Sequence, residues 1–486
     1  MAFLQTFPPE VWSQVLEDVP RIELHKFLGV CSTFHDIIIR KLFSSVKIYL
    51  IGGFAATRML NTNHVEWIEG VEEQLMTMSW EVLNCICQEP RFARVVKSMT
   101  VIAYADGRST FEKSNALHHI PNLQTFRWIG NGPPLDTDIA KKLPTTLKTL
   151  VIQSSIPPDS FLHLTNVTTL HLSMPFFFPD DEEAHDVLVS DPTIVDDLQY
   201  PIIDILEAVS PKLRSLRVTA SQVGTIPIRT FSTLTELEII ATIGDQDELV
   251  GLDVVFRYAS SLESLTLVGF FSSELFSFLP HSSIGNLPLL NSFRLSCEDT
   301  GVHSSGRLGE DEFQSLYGFL QGRQLLRRLY LRIPTLRWGQ TSRFLFLIRE
   351  LGGLEVLGFH TGRDILADEH IVEFVAPSLC SKLCALHLAM NWGGRSLLPL
   401  VDAIAKLSRL KFLHLYGTVT RLPILLDDLI EEAPGLEMVG LNRALWNIDR
   451  VGAADKPLVK LPRWKIKFCI EEDFLSPDDA WLFKYN

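Results

Sequence analysis

Arg294, Arg328, Tyr330, Arg332, His360, His387, His414 and Tyr416 stand at matching places in successive copies of one short apolar pattern, flanking its fourth and sixth positions. Arg127, His171 and Arg217 hold the same places in earlier copies. Guanidinium groups pair bidentately with phosphate or carboxylate, and tyrosine supplies large contact area, so such a row suits an acidic or phosphorylated peptide. Bond-making chemistry has no comparable signal. The chain lacks a His-Glu-x-x-His pair, a phosphate-cradling glycine loop and a nucleophile elbow. Cys85-x-Cys87 and Cys380-x-x-x-Cys384 lack the paired spacing of zinc sites and read as core thiols. Cys31, near His25 and His35, reads as a packed helical residue. No cofactor, no metal and no catalysis are expected.

The elements that must position this row are legible from the pattern itself. Thirteen copies of Leu-x-x-Leu-x-Leu, with conservative apolar swaps, run from Val96–Val101 to Leu436–Leu441. Their central apolar residues mostly recur every 20–29 residues, the period of a leucine-rich repeat. The expected fold is α/β: a leucine-rich-repeat solenoid, horseshoe-shaped, with a parallel inner sheet and convex helices, preceded by a small three-helix domain. In each strand the leucines turn inward and the residues beside the fourth and sixth positions face the concave solvent side. Between strands the apolar spacing predicts helices over 202–209, 344–351, 398–407 and 425–433. Asn131 and Asn391 occupy the turn position where repeat asparagines satisfy backbone groups, with Ser155, Ser221, Thr242 and Thr418 as weaker substitutes.

The repeats are expected over 93–442, interrupted by an acidic loop at 179–198 with eight Asp or Glu between 180 and 197 and no Lys or Arg. A second insertion, rich in Gly and Ser, spans 299–309. Residues 46–92 form a linker and cap, with a strand at 46–50 and a helix over 66–87. Residues 443–486 form the other cap, with a strand at 465–470 and a Trp481–Tyr485 tail. A net charge of −14 argues against a general nucleic-acid binder, and hydrophobic residues at 46% supply an ample interior. Neither a secretory signal nor a membrane span is expected. The odd count of seven cysteines points to a reducing compartment, cytoplasmic or nuclear.

Residues 1–45 follow a different rule. Pro8 and Pro9 start a helix carrying Val11, Trp12, Val15, Leu16 and Val19, which Pro20 ends. Leu24, Phe27, Leu28 and Cys31 mark a second helix. Ser32 or Thr33 can cap a third, with Phe34, Ile37, Ile38, Lys41 and Leu42 following. Three such short helices cannot bury all their apolar faces among themselves, so some must meet a partner. Phe7-Pro8-Pro9-Glu10, Val15-Leu16, Leu24 and Val30-Cys31-Ser32-Thr33-Phe34 resemble the F-box pattern, with Phe7 in place of its opening Leu and Thr33 in place of its basic residue. Together with the repeats, the chain resembles the F-box/leucine-rich-repeat proteins, in particular the divergent forms abundant in fungi. That resemblance implies a non-catalytic substrate adaptor of a Skp1–cullin–F-box ubiquitin ligase. The head would bind a Skp1-like protein, and through it a cullin, using Pro8, Glu10, Val15, Leu16, Leu24, Leu28, Val30, Cys31 and Phe34. The repeats would select a substrate protein through the row from Arg294 to Tyr416. The alternative is a repeat scaffold or enzyme regulator acting outside any ligase.

Overall fold

The computed structural model describes residues 7–16, 19, 24–52, 65–105, 116–154, 158–172, 202–209, 211–241, 251–271, 274–279, 286–297, 308–365, 368–391, 398–417, 426–449, 458–462, 465–466 and 469–484. The acidic run, nearly all of the Gly/Ser-rich insertion, Pro20, Ser155, Thr242 and Thr418 lie outside the described residues. The chain divides into two compact units, Met1–Leu213 and Arg214–Asn486.

The first unit is built on five parallel strands in chain order: β1 (Ser45–Gly52), β2 (Ser98–Ala105), β3 (Thr125–Gly132), β4 (Thr149–Gln153) and β5 (Thr169–Leu172). Register follows the pattern. The fourth-position residues Met99, Phe126, Leu150 and Leu170 stand side by side, each with no exposed surface. A strand buried on its inner side selects this pairing, because a slip of one residue would turn every apolar side chain to the other face. β1 extends the ladder beyond the first copy of the pattern, Val46 pairing with Met99, and the helix Val65–Gln88 packs against it. There Ser79 Oγ accepts the Tyr49 N–H at 2.8 Å.

Ahead of β1 stand the helix Pro9–Val15, a single 3-10 turn at His25–Phe27 and the helix Ser32–Phe43. Two local expectations change. The second helix shortens to that 3-10 turn, and the third begins from Cys31 with no side-chain cap, so neither Ser32 nor Thr33 caps it. Leu16, Leu24, Phe34 and Ile38 form the small core of this head, with Trp12, Leu28 and Cys31 against it.

The second unit carries nine parallel strands: β6 (Ser215–Thr219), β7 (Glu236–Ala241), β8 (Ser264–Gly269), β9 (Ser292–Cys297), β10 (Arg328–Arg332), β11 (Val356–Ile365), β12 (Ala385–Asn391), β13 (Phe412–Gly417) and β14 (Met438–Leu441). Their fourth positions run Leu216, Leu237, Leu265, Phe293, Leu329, Leu357, Leu386, Leu413 and Val439, again in register and buried. Helices Leu252–Tyr258, Glu310–Leu320, Trp338–Glu350, Leu398–Ile404 and Leu426–Glu432 alternate with them. All thirteen copies of the pattern thus become parallel strands stacked in chain order within each unit, as expected of leucine-rich-repeat coils.

Two antiparallel strands, β15 (Ala444–Ile448) and β16 (Leu458–Lys460), end the sheet. Of the strand expected at 465–470, residues 467 and 468 lie outside the described residues, and Lys465 and Ile466 are helical rather than extended. Cys469 N–H bonds to Lys465 O at 3.1 Å, and the second closing strand lies earlier, at Leu458–Lys460. Asn442 also takes a turn position, its Oδ1 accepting the Gly417 N–H at 2.9 Å.

A buried arginine ties neighbouring coils: Arg323 donates to Phe319 O at 2.7 Å and to Leu287 O and Asn286 O at 3.1 Å. Because Leu329 fills the shared interior without exposed surface, Leu329→Ala is expected to lower stability by about 2–5 kcal/mol in urea denaturation. Leu325→Ala, four residues away at 63% exposed, is expected to shift it by less than about 0.5 kcal/mol.

Candidate binding face on the second unit

In each coil the third and fifth residues of the pattern turn away from the leucine interior, onto the open face of the sheet. Down the second unit the fifth positions read Arg217, Glu238, Thr266, Arg294, Tyr330, Gly358, His387, His414 and Gly440, each beside the next in the strand register. The third positions begin polar and end apolar: Val356, Ala385, Phe412 and Met438 lie on this outward side, yet none has exposed surface.

Their cover is the chain's own tail. Residues 476–483 carry a strong helix start: Ser476 Oγ accepts the Asp479 N–H at 3.2 Å, Pro477 opens the first turn, and Asp478 and Asp479 follow. The resulting helix Pro477–Phe483 lays Ala480, Leu482 and Phe483, with Phe474 ahead of it, on Val356, Ala385, Phe412 and Met438. Gly358 gives it room, and Gly440 gives room to the neighbouring His414 ring and Leu445. A Cβ at Gly358 would stand 2.1 Å from the Tyr330 ring and 3.0 Å from Leu482 Cδ1, and one at Gly440 2.5 Å from the His414 ring.

Charges fasten both ends of the helix. At its start Asp478 takes a fork from Arg327, whose Nη2 lies 2.9 Å from both carboxylate oxygens, and a further ion pair from Arg328. At its end Arg294 Nη1 donates to Lys484 O at 2.8 Å, and Nη2 to Leu482 O at 3.2 Å and to Trp481 O. A guanidinium at the carbonyl end complements the helix dipole. The same guanidinium stacks 3.9 Å above the Tyr330 ring and 4.6 Å from Trp481. Beyond it Lys484 Nζ reaches Glu238 Oε2 at 3.0 Å, and Arg217 Nε reaches the same oxygen at 2.8 Å. Burial pulls the Lys484 pKa down, Arg217 adds to the shift, and Glu238 opposes it.

The histidines form a relay behind the tail. His414 Nε2 lies 2.6 Å from Asn442 O, His387 Nδ1 2.7 Å from His414 Nδ1, and His360 Nε2 3.0 Å from His387 Nε2 and from Tyr330 Oη. One assignment of hydrogens satisfies the chain: His414 Nε2–H donates to the carbonyl, His387 Nδ1–H to His414, and His360 Nε2–H to His387. All three rings are then neutral. A proton added to either acceptor nitrogen would set two N–H groups facing each other. Burial accordingly holds His360 and His387 well below the ordinary imidazole value, reinforced by neighbouring positive charge, and holds His414 at about 4.

The eight residues singled out from the pattern therefore share one face. Arg294, Tyr330, His387 and His414 are buried, while Arg328, Arg332, His360 and Tyr416 are half-buried. Of the earlier copies, Arg127 and His171 are half-buried on the first unit, and Arg217 is buried against Glu238. Sequence reasoning did not find Glu238, Asp478, Trp481 or Lys484 as parts of this face. Ser476-Pro477-Asp478-Asp479 signals a helix start in the sequence, but nothing there tells where that helix docks.

The head divides the F-box-like residues into two sets. Leu16, Leu24 and Phe34 are buried in its small core, and Leu28 and Cys31 are half-buried. Pro8, Glu10, Val15 and Val30 are exposed, alongside Phe7, Val11 and Phe27. Among the described residues no helix is long and apolar enough to cross a membrane, and no group of three His, Cys, Asp or Glu could hold a metal ion.

No protein-family model matches the sequence, and no curated protein matches it. Among solved structures the chain is similar to an internalin (InlF) of Listeria monocytogenes, at 12% identity and a TM-score of 0.30, covering 74% of this chain and 93% of that one. It is similar to TLR13 in its complex with ssRNA13, at 15% identity and a TM-score of 0.33 over 72% of this chain and 54% of that one. A leucine-rich-repeat protein of Leptospira interrogans matches at 13% identity and a TM-score of 0.28, over 75% and 86%. The repeat assignment rests on the strand ladder itself.

Acidification should loosen this face. An unfolded imidazole takes up its proton near pH 6.5, whereas folded His414 waits until about 4, so the stability it contributes is present above 6.5 and is lost as pH falls towards 4. His360 and His387 act in the same direction. Asp479 opposes them: burial raises its carboxyl to about 6, so its contribution is present in acid and lost as pH rises through 6. Three imidazoles against one carboxyl leave a net loss on acidification. The urea midpoint is expected to fall between pH 7 and 4.5, and His387→Gln to flatten that slope.

Proposed function

We propose that this protein is a non-catalytic, protein-binding repeat adaptor whose head docks a Skp1-like subunit and whose coils hold a substrate protein for ubiquitin transfer. The observation that carries this reading is the exposed apolar set Phe7, Val11, Val15, Phe27 and Val30, between 36% and 55% exposed, on the head whose sequence resembles an F-box. Exposed apolar residues at these F-box positions suit an interface core. Pro8 and Glu10 flank the set, while Leu16, Leu24, Leu28, Cys31 and Phe34 shape it from behind. A cullin would be reached through the Skp1-like subunit, which places the protein's work in the cytoplasm or nucleus. No bond is made by the chain itself: holding a substrate near a ubiquitin-loaded enzyme raises its effective concentration. Arg294, Arg328, Tyr330, Arg332, His360, His387, His414 and Tyr416 form the proposed substrate seat.

Co-purification with a Skp1-like protein tests the reading. Val15→Asp with Val30→Asp replaces exposed residues, so folding is expected to survive while capture falls at least about tenfold, a cost of about 1.4 kcal/mol or more. Capture unchanged by both substitutions, or absent in the unmodified chain, would replace the ligase reading with a repeat scaffold or enzyme regulator acting outside a ligase.

A further inference from the structure

The sheet face of the second unit is not built like the outer surface of a soluble domain. Four third-position residues present an apolar floor that packs with Leu445, Leu461, Phe474 and the seven-residue tail helix, and Arg294 and Glu238 stand buried beside it, against the end of that helix and Lys484. Removing that helix would expose the floor and strip three carbonyl acceptors from Arg294. The face is thus a docking site, and the tail shows what it accepts: a carboxylate, then aromatic–aliphatic–aromatic, then a cation, as in Asp478, Trp481, Leu482, Phe483 and Lys484.

We infer that the face from β7 to β14 forms a peptide-docking site, that the tail is its resident occupant, and that the external partner is a protein segment of the same chemistry which displaces it. The inference rests on the substrate-seat reading above and gives it a ligand class. At the Arg294–Glu238 end that class carries no phosphate, because Arg294 meets peptide carbonyls and Glu238 would repel one. Charge fixes direction: the carboxylate lies at Arg327 and Arg328, the cation at Glu238. Between them the apolar side chains fill the space left by Gly358.

The test titrates a labelled peptide of residues 474–484 into the full chain and into Leu482→Asp with Phe483→Asp, which frees the tail and leaves the sheet intact. If the tail fills nine in ten molecules, freeing it should tighten peptide binding about tenfold or more. Arg327→Glu with Arg328→Glu in the freed chain should weaken that binding, and a peptide carrying Arg in place of Asp478 should recover it. A freed chain that keeps its thermal transition but does not bind the peptide overturns the inference. Hydrogen exchange on the unaltered chain decides the matter independently of any variant. Amides of residues 478–484 should exchange through a local opening, faster than those of β10–β12; equal protection would make the tail a fixed wall and overturn the inference. No Skp1-like protein enters these measurements, so failure of the ligase reading leaves a separate signature.

Discussion

Parallel coils can stack only if the start of each strand is pinned to its neighbour, and in both units one carbonyl per coil provides that pin. The residue after the first leucine accepts two N–H groups from the next coil: Lys97 O from Gln124 and Thr125, Asn291 O from Arg327 and Arg328, Arg327 O from Glu355 and Val356, Cys384 O from Lys411 and Phe412. The contact is made by main chain, so it tolerates any side chain at that position. It holds the first leucine of each coil inward and sets the register in which fourth positions meet. Every row on the open face inherits its alignment from this pin, which is why residues far apart in sequence, such as Arg217 and His414, fall on one surface.

That alignment makes the second unit's face electrostatically demanding. A guanidinium as buried as that of Arg294 needs several acceptors, since leaving a buried charge without its partner costs about 3–5 kcal/mol. The end of a helix supplies three carbonyls at once, which a flat sheet cannot. Next to it the three imidazoles stay neutral because they are largely withdrawn from water and already bonded to one another. The face therefore combines buried Arg217, Glu238 and Arg294 and a neutral polar relay with an apolar floor, and around Arg294 it is complementary to main-chain carbonyls more than to an anion.

Much of the architecture was legible. The apolar period located every coil strand from Val96 to Leu441, and the flanking positions identified the row from Arg294 to Tyr416. Illegible features share one cause. The antiparallel close at Leu458–Lys460 and the turn at Lys465 depend on what the last coil leaves unpaired, and Leu458–Lys460 is too short to carry a period of its own. The head's apolar residues were readable as a set, yet their division into buried Leu16, Leu24 and Phe34 and exposed Val15 and Val30 needed the packing of three short segments.

By itself, then, the sequence determined the repeat, its register and the residues that turn outward, because each of these follows from a local alternation acting against a shared interior. Only the tertiary structure decided what those outward residues meet. Ser476-Pro477-Asp478-Asp479 starts a helix in any context, but its landing on Val356, Ala385, Phe412 and Met438 is a contact between segments dozens of residues apart. Such a contact leaves no periodic trace in the chain, since it depends on shape and charge presented jointly by seven strands.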